Sequence, residues 1–102
     1  MKQKDVKFSK EGNALLVLIE GEIDHHTAIR ARERIDSKFL MEPVKNMIMD
    51  LSRVTFMDSA GIGFILGRIN RVSSVGGKMT IRKPKPEINR ILKMSKIESI
   101  VE

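Results

Sequence analysis

The sequence predicts an α/β domain: a four-stranded mixed β-sheet with its helices mainly on one face, in the order β-β-α-β-α-β-α. Three observations predict it. Leu15–Ile19 and Met47–Leu51 are apolar runs of strand length, and Lys78–Arg82 alternates apolar with polar residues. The segments between and after them repeat their apolar residues at helical spacing. Gly12-Asn13 stands between the first two strand-like runs, where a tight hairpin turn belongs. The hairpin makes the first two strands antiparallel. Strands separated by single helices become parallel neighbours through right-handed crossovers. The 102 residues suffice for one domain with one modest core.

Taken in order, Val6 and Phe8 alternate with charged residues and begin the first strand. Glu11-Gly12-Asn13-Ala14 turns the chain into Leu15–Ile19. From Thr27 to about Met41, Ala28, Ala31, Ile35 and Phe39 recur on one helix face, with Arg30, Arg34 and Lys38 on another and Pro43 closing the segment. Met47–Leu51 is almost wholly apolar, as a central strand covered on both faces would be. A second helix follows the small-residue turn Asp58–Gly63, with Ile62, Ile65, Leu66, Ile69 and Val72 as its buried face. Gly76-Gly77 supplies its stop. Pro84 and Pro86 end the last strand; Ile88, Ile91 and Leu92 begin a third helix, and Ile97, Ile100 and Val101 form an apolar tail.

Composition removes several function classes. The chain has no cysteine, so disulfides, thiolate metal sites and cysteine nucleophiles are excluded, which fits a cytoplasmic protein. Four Phe without Trp or Tyr imply an aliphatic, methionine-rich core. No apolar run approaches the roughly 20 residues of a membrane span. Met1-Lys2-Gln3-Lys4-Asp5 leads into no signal-peptide core. Net charge is +6, and the excess lies in the second half: residues 1 to 50 hold nine basic against nine acidic residues, residues 51 to 102 ten against four. Such asymmetry favours a negatively charged partner. The basic residues (Arg68, Arg71, Lys78, Arg82, Lys83, Lys85, Arg90, Lys93, Lys96) are dispersed, with no Tyr or Trp to stack bases, so nucleic acid is not expected and solvated faces are.

Enzymatic readings fail for want of partners. Asp24-His25-His26 resembles a metal triad, but adjacent residues on a strand end point apart, and these are the only two histidines. The expectation is a polar loop capping the helix near Thr27, with no metal and no cofactor. Ser59 lacks the Gly-x-Ser-x-Gly elbow, because Met57 occupies its first position. Gly61-Ile62-Gly63 is shorter than any phosphate-binding fingerprint. What remains is a serine at the entrance to a helix, where a serine or an aspartate serves as N-cap. Ala60 and Gly61 are small enough for another protein to approach the hydroxyl closely, as at a modification site.

Met49-Asp50-Leu51-Ser52-Arg53-Val54-Thr55-Phe56-Met57-Asp58-Ser59-Ala60-Gly61-Ile62-Gly63, together with Gly21-Glu22-Ile23-Asp24-His25-His26-Thr27-Ala28, closely resembles the STAS-domain anti-sigma factor antagonists, their sporulation type above all. The resemblance runs essentially end to end. It implies a non-enzymatic partner switch. Unmodified, such an antagonist binds an anti-sigma factor that is also a serine kinase holding ATP or ADP, and the sigma factor is released. Phosphorylation at the serine matching Ser59 breaks the complex until a phosphatase restores it. Asp24 matches the position beside that serine, and Asp58, Ser59, Ala60 and Gly61 complete the expected partner-binding set. Stress-signalling assemblies and transporter regulatory domains use the same module and are the alternative setting.

Overall fold

The expected hairpin is the first element of the computed structural model, which describes residues 6–102; the reading of Met1 to Asp5 lies outside the described residues. β1 (Val6–Glu11) and β2 (Ala14–Ile23) pair antiparallel across Gly12-Asn13. Gly12 takes φ +62°, which the first position of a two-residue hairpin loop requires and which glycine adopts without steric cost. α1 (His25–Met41), β3 (Asn46–Met57), α2 (Ser59–Ser74), β4 (Met79–Arg82) and α3 (Pro86–Met94) follow, with a short 3₁₀ turn at Glu98–Ile100. The sheet order is β1-β2-β3-β4, with β2, β3 and β4 parallel. This is the predicted mixed sheet in the predicted order.

The strands alternate strictly enough to assign their two sides. Leu15 and Val17 of β2, Met47, Met49 and Leu51 of β3 and Ile81 of β4 have no accessible surface and share one core with Ile35, Ile65, Ile88 and Leu92 of the helices. Fully burying one such side chain stabilises a fold by about 1.5–3 kcal/mol. The intervening residues Leu16, Leu18, Ile48 and Asp50 are only half-buried. The central strand is therefore covered on one face, not on both as its apolar run implied. A two-layer domain results, 35 × 33 × 19 Å along its principal axes. On the uncovered side Arg82 joins the edge strands: its two terminal nitrogens donate to the carboxylate of Glu11 at 3.0 and 2.8 Å, while Nε donates to Glu102 at 2.8 Å.

β3 is longer than the predicted Met47–Leu51, running from Asn46 to Met57. Two register shifts against β2, between Leu18 and Glu20 and between Gly21 and Glu22, give β3 an extra residue each time. They rotate the strand so that Val54 and Met57 again face the core. Ser52 sits at the first shift. Its N–H donates to the Asp50 carboxylate at 2.9 Å, and its carbonyl accepts from Lys85 Nζ at 2.7 Å.

α2 departs from expectation in three ways. It begins at Ser59, so Asp58–Gly63 is the cap and first turn of the helix and not a loop before it. Its buried face is Gly61, Phe64, Ile65, Arg68 and Val72, whereas Leu66 is 45% exposed. Arg68, read as one of several solvated cations, is 5% exposed. The stop is as predicted: Gly76 at φ +78° and Gly77 close a Schellman motif, the Gly77 N–H reaching the Val72 carbonyl at 3.0 Å and the Gly76 N–H that of Ser73 at 2.9 Å.

Candidate functional site

Ile23 and Met57, the last residues of β2 and β3, are register partners. The residues that follow them, Asp24 and Asp58, are the N-caps of α1 and α2. Two helix starts therefore lie side by side at the carboxyl edge of the parallel strands, where open α/β sheets gather their functional groups. All five positions singled out in the sequence (Asp24, Asp58, Ser59, Ala60, Gly61) fall at this edge.

The two caps are built differently. Asp24 Oδ1 accepts from the backbone of His26 and of Thr27, each at 3.0 Å, and Thr27 Oγ1 accepts from the Asp24 N–H at 2.8 Å. This is a complete capping box, with threonine in the third helical position where Glu or Gln is more usual. The Thr27 hydroxyl also donates to the Glu22 carbonyl at 2.8 Å. The Thr27 N–H is the foremost cause holding the Asp24 carboxyl below its ordinary value, with burial opposing it. α1 thus starts at His25, two residues ahead of the expected Thr27, and His25 and His26 are exposed first-turn residues. Among the described residues no three His, Asp or Glu side chains converge as a metal site requires.

Among the described residues the Asp58 carboxylate accepts one hydrogen bond, from the Ala60 N–H at 2.9 Å, while its backbone carbonyl accepts from the Gly61 N–H at 2.9 Å. The cap is Asp58 and not Ser59; the serine occupies the first helical position. Ser59 is exposed, and its hydroxyl holds no hydrogen bond to another described residue. Gly61, in the third position, is buried: a Cβ there would lie 2.1 Å from Met57 Cγ and 3.3 Å from Ile23 Cγ2. Its lack of a side chain is thus required by the domain's own packing beneath Ser59.

Beside this edge, the first turns of α1 and α2 border an open groove of about 320 Å³, lined by Ile29 and Arg32 on one wall and Gly63, Phe64, Gly67 and Arg68 on the other. Sequence reasoning missed it. Arg68 Nε lies 2.8 Å from Asp36 Oδ1 on α1, but its N–H is not directed at that oxygen, so the contact is an ion pair without an aligned hydrogen bond. Arg68 Nη1 donates to the Phe64 carbonyl at 3.2 Å, and the guanidinium lies 5.5 Å from the Phe64 ring centre. Arg71 Nη2 reaches the other Asp36 oxygen at 3.4 Å. Burial lowers the pKa of Arg68 and Asp36 opposes that shift, while Arg32 and Arg71 act on it as like charges.

Comparison with known proteins agrees with this architecture. The STAS domain family matches residues 5–102. An anti-sigma F factor antagonist of Paenibacillus polymyxa is 31% identical over 96 residues, covering 94% of this chain and 82% of the relative. The anti-sigma factor antagonist SpoIIAA in its unphosphorylated form superimposes with a TM-score of 0.84 at 24% identity, covering 95% of this chain and 85% of that one. SpoIIAA of Bacillus in its phosphorylated form, also 24% identical, gives 0.76 over 95% of this chain and 88% of that one. With its mixed sheet and its match over residues 5–102, the chain belongs to the STAS domain family, among the anti-sigma factor antagonists.

Proposed function

We propose that this protein is a phosphorylation-controlled anti-sigma factor antagonist of sporulation, acting in the cytoplasm and without catalytic activity of its own. Unmodified, it binds a kinase-type anti-sigma factor holding ATP or ADP, and the sigma factor is released. Transfer of phosphate to Ser59 breaks the complex, and a serine phosphatase restores it. The observation that carries this reading is the Ser59 hydroxyl, exposed at the first position of α2 and free of hydrogen bonds to the described residues. A kinase active site can take such a hydroxyl without opening the fold.

The physics of the position supports a local switch. A phosphate adds about −1.5 to −2 charges. The first turn of a helix tolerates an anion, because its N–H groups and macrodipole face it. Modification therefore leaves the domain folded and acts at the surface, where Asp24 and Asp58 already place two carboxylates beside Ser59. The test is incubation with ATP alone and then with a kinase-type anti-sigma factor from the same genome, read by mass spectrometry and by binding. Phosphate is expected on Ser59 only in the second case. Ser59→Ala should abolish modification and retain binding, while Ser59→Asp weakens binding by about tenfold or more, a difference of about 1.4 kcal/mol. Equal binding by the Ser59→Asp variant would show that charge at this site is not the switch.

A further inference from the structure

We propose that the groove between α1 and α2 is a docking slot for an acidic side chain of the protein partner, carried on a segment whose backbone lies close to Gly63 and Gly67. The proposal rests on the partner reading above and gives that partner a second contact beyond Ser59.

The first support is steric. Gly63 and Gly67 lie one helical turn apart inside α2, where each glycine costs about 1 kcal/mol relative to alanine. A Cβ at either would meet nothing within 4 Å. Gly61 and Gly77 are different, since a Cβ would strike Met57 in one case and the Lys45 carbonyl in the other. The fold needs its glycines at 61 and 77, whereas those at 63 and 67 keep open a surface that nothing in the described domain fills.

The second support is electrostatic. Arg32 and Arg68 both line the groove, and Arg71 stands beyond them, against the one carboxylate of Asp36. Asp36 cannot neutralise three guanidiniums. Arg68 Nε is held 2.8 Å from Asp36 Oδ1 without an aligned hydrogen bond, so Asp36 is already engaged and the Arg32 charge at the groove is left to a partner. A carboxylate entering from solvent meets fixed positive charge along the groove and can form a charge-assisted hydrogen bond with a guanidinium. The third support is position. Ala60 lies at the end of the same groove, directly after Ser59, so one partner can cover both.

The test is a set of ¹H–¹⁵N titrations of the whole chain with three probes at matched ionic strength. These are the acetylated, amidated peptide Ala-Glu-Ala-Ala-Glu-Ala, its glutamine counterpart and inorganic phosphate. The glutamate peptide should shift the Gly63, Gly67 and Arg68 amides saturably, and the glutamine peptide should not. Arg32→Glu, at an exposed position, should weaken the response by about fivefold, the upper range for one exposed charge pair. Gly67→Leu, which favours the helix and fills the slot, should abolish it. Absence of saturable shifts, an equal response to the glutamine peptide, a response that survives Gly67→Leu, or phosphate competing the peptide away would each overturn the proposal. The titration involves neither the anti-sigma factor nor phosphate on Ser59, so failure of Ser59 as a phosphorylation site and failure of the groove are read separately.

Discussion

α1 and α2 start side by side from paired strands, each capped by an aspartate, yet one start is closed and the other open. The difference lies in the third helical residue. In α1 it is Thr27, whose hydroxyl returns a bond to the Asp24 backbone and reaches Glu22. In α2 it is Gly61, which has no side chain to return and no room for one above Met57. Close packing of α2 on the sheet thus excludes the reciprocal cap. It leaves the Asp58 carboxylate with one hydrogen bond and the Ser59 hydroxyl with none among the described residues. A first turn held by backbone packing and not by side-chain bonds can present a serine to an enzyme without losing its anchor.

The sharpest way to break this contrast is at Gly61. Gly61→Ala should lower stability by about 1–3 kcal/mol, because the added methyl forces Met57 off its position in the core; denaturant unfolding measures this. Gly63→Ala is the control on the same helix and should raise stability by up to about 1 kcal/mol. Equal effects of the two would show that α2 is not seated by the contact at Gly61.

Thr27→Val keeps the shape of the side chain and removes its hydroxyl, leaving the Asp24 N–H and the Glu22 carbonyl without their partner. It should cost about 1–1.5 kcal/mol. Asp58→Ala removes a single cap bond and should cost less, about 0.5–1 kcal/mol. Thermal unfolding of both variants tests the order; a larger loss at Asp58 would reverse the account of which start is closed.

The smallest effect is in pH. The Asp24 carboxyl titrates below its unfolded value. Its contribution to stability is therefore fully present above that ordinary value, near 4, and is lost as pH falls through the folded one. Stability measured between pH 5 and pH 2 should show an acid-side loss that Asp24→Asn, which keeps a good N-cap and removes the titrating carboxyl, diminishes. An unchanged slope would mean that the capping box does not hold the Asp24 charge.

The contrast also separates what was legible in the sequence from what was not. The hairpin was written in Gly12-Asn13, the strand order in alternating short and long apolar segments, and the candidate edge in the two motifs around Asp24 and Ser59. These are local signals, and they survive folding. The cap of α2 was ambiguous because aspartate and serine are both good N-caps, and only packing at Gly61 decides which residue takes the place. The length of β3 was hidden by its two register shifts, which break the alternation that would have marked one strand. Arg68 read as a surface cation because its partner, Asp36, lies on another helix, and no local pattern announces a pair made across a groove. The sheet's uncovered face was misread for a related reason: Ile48 is apolar in sequence, but no helix is left over to cover it.

The open glycines have a practical consequence. The chain contains no cysteine, so Gly67→Cys would carry the molecule's only thiol, at a position where an added side chain meets nothing within 4 Å. Its alkylation rate would then report occupancy of the groove in real time. The same thiol at Gly61 would be crowded by Met57, which makes that position a built-in control for perturbation of the core.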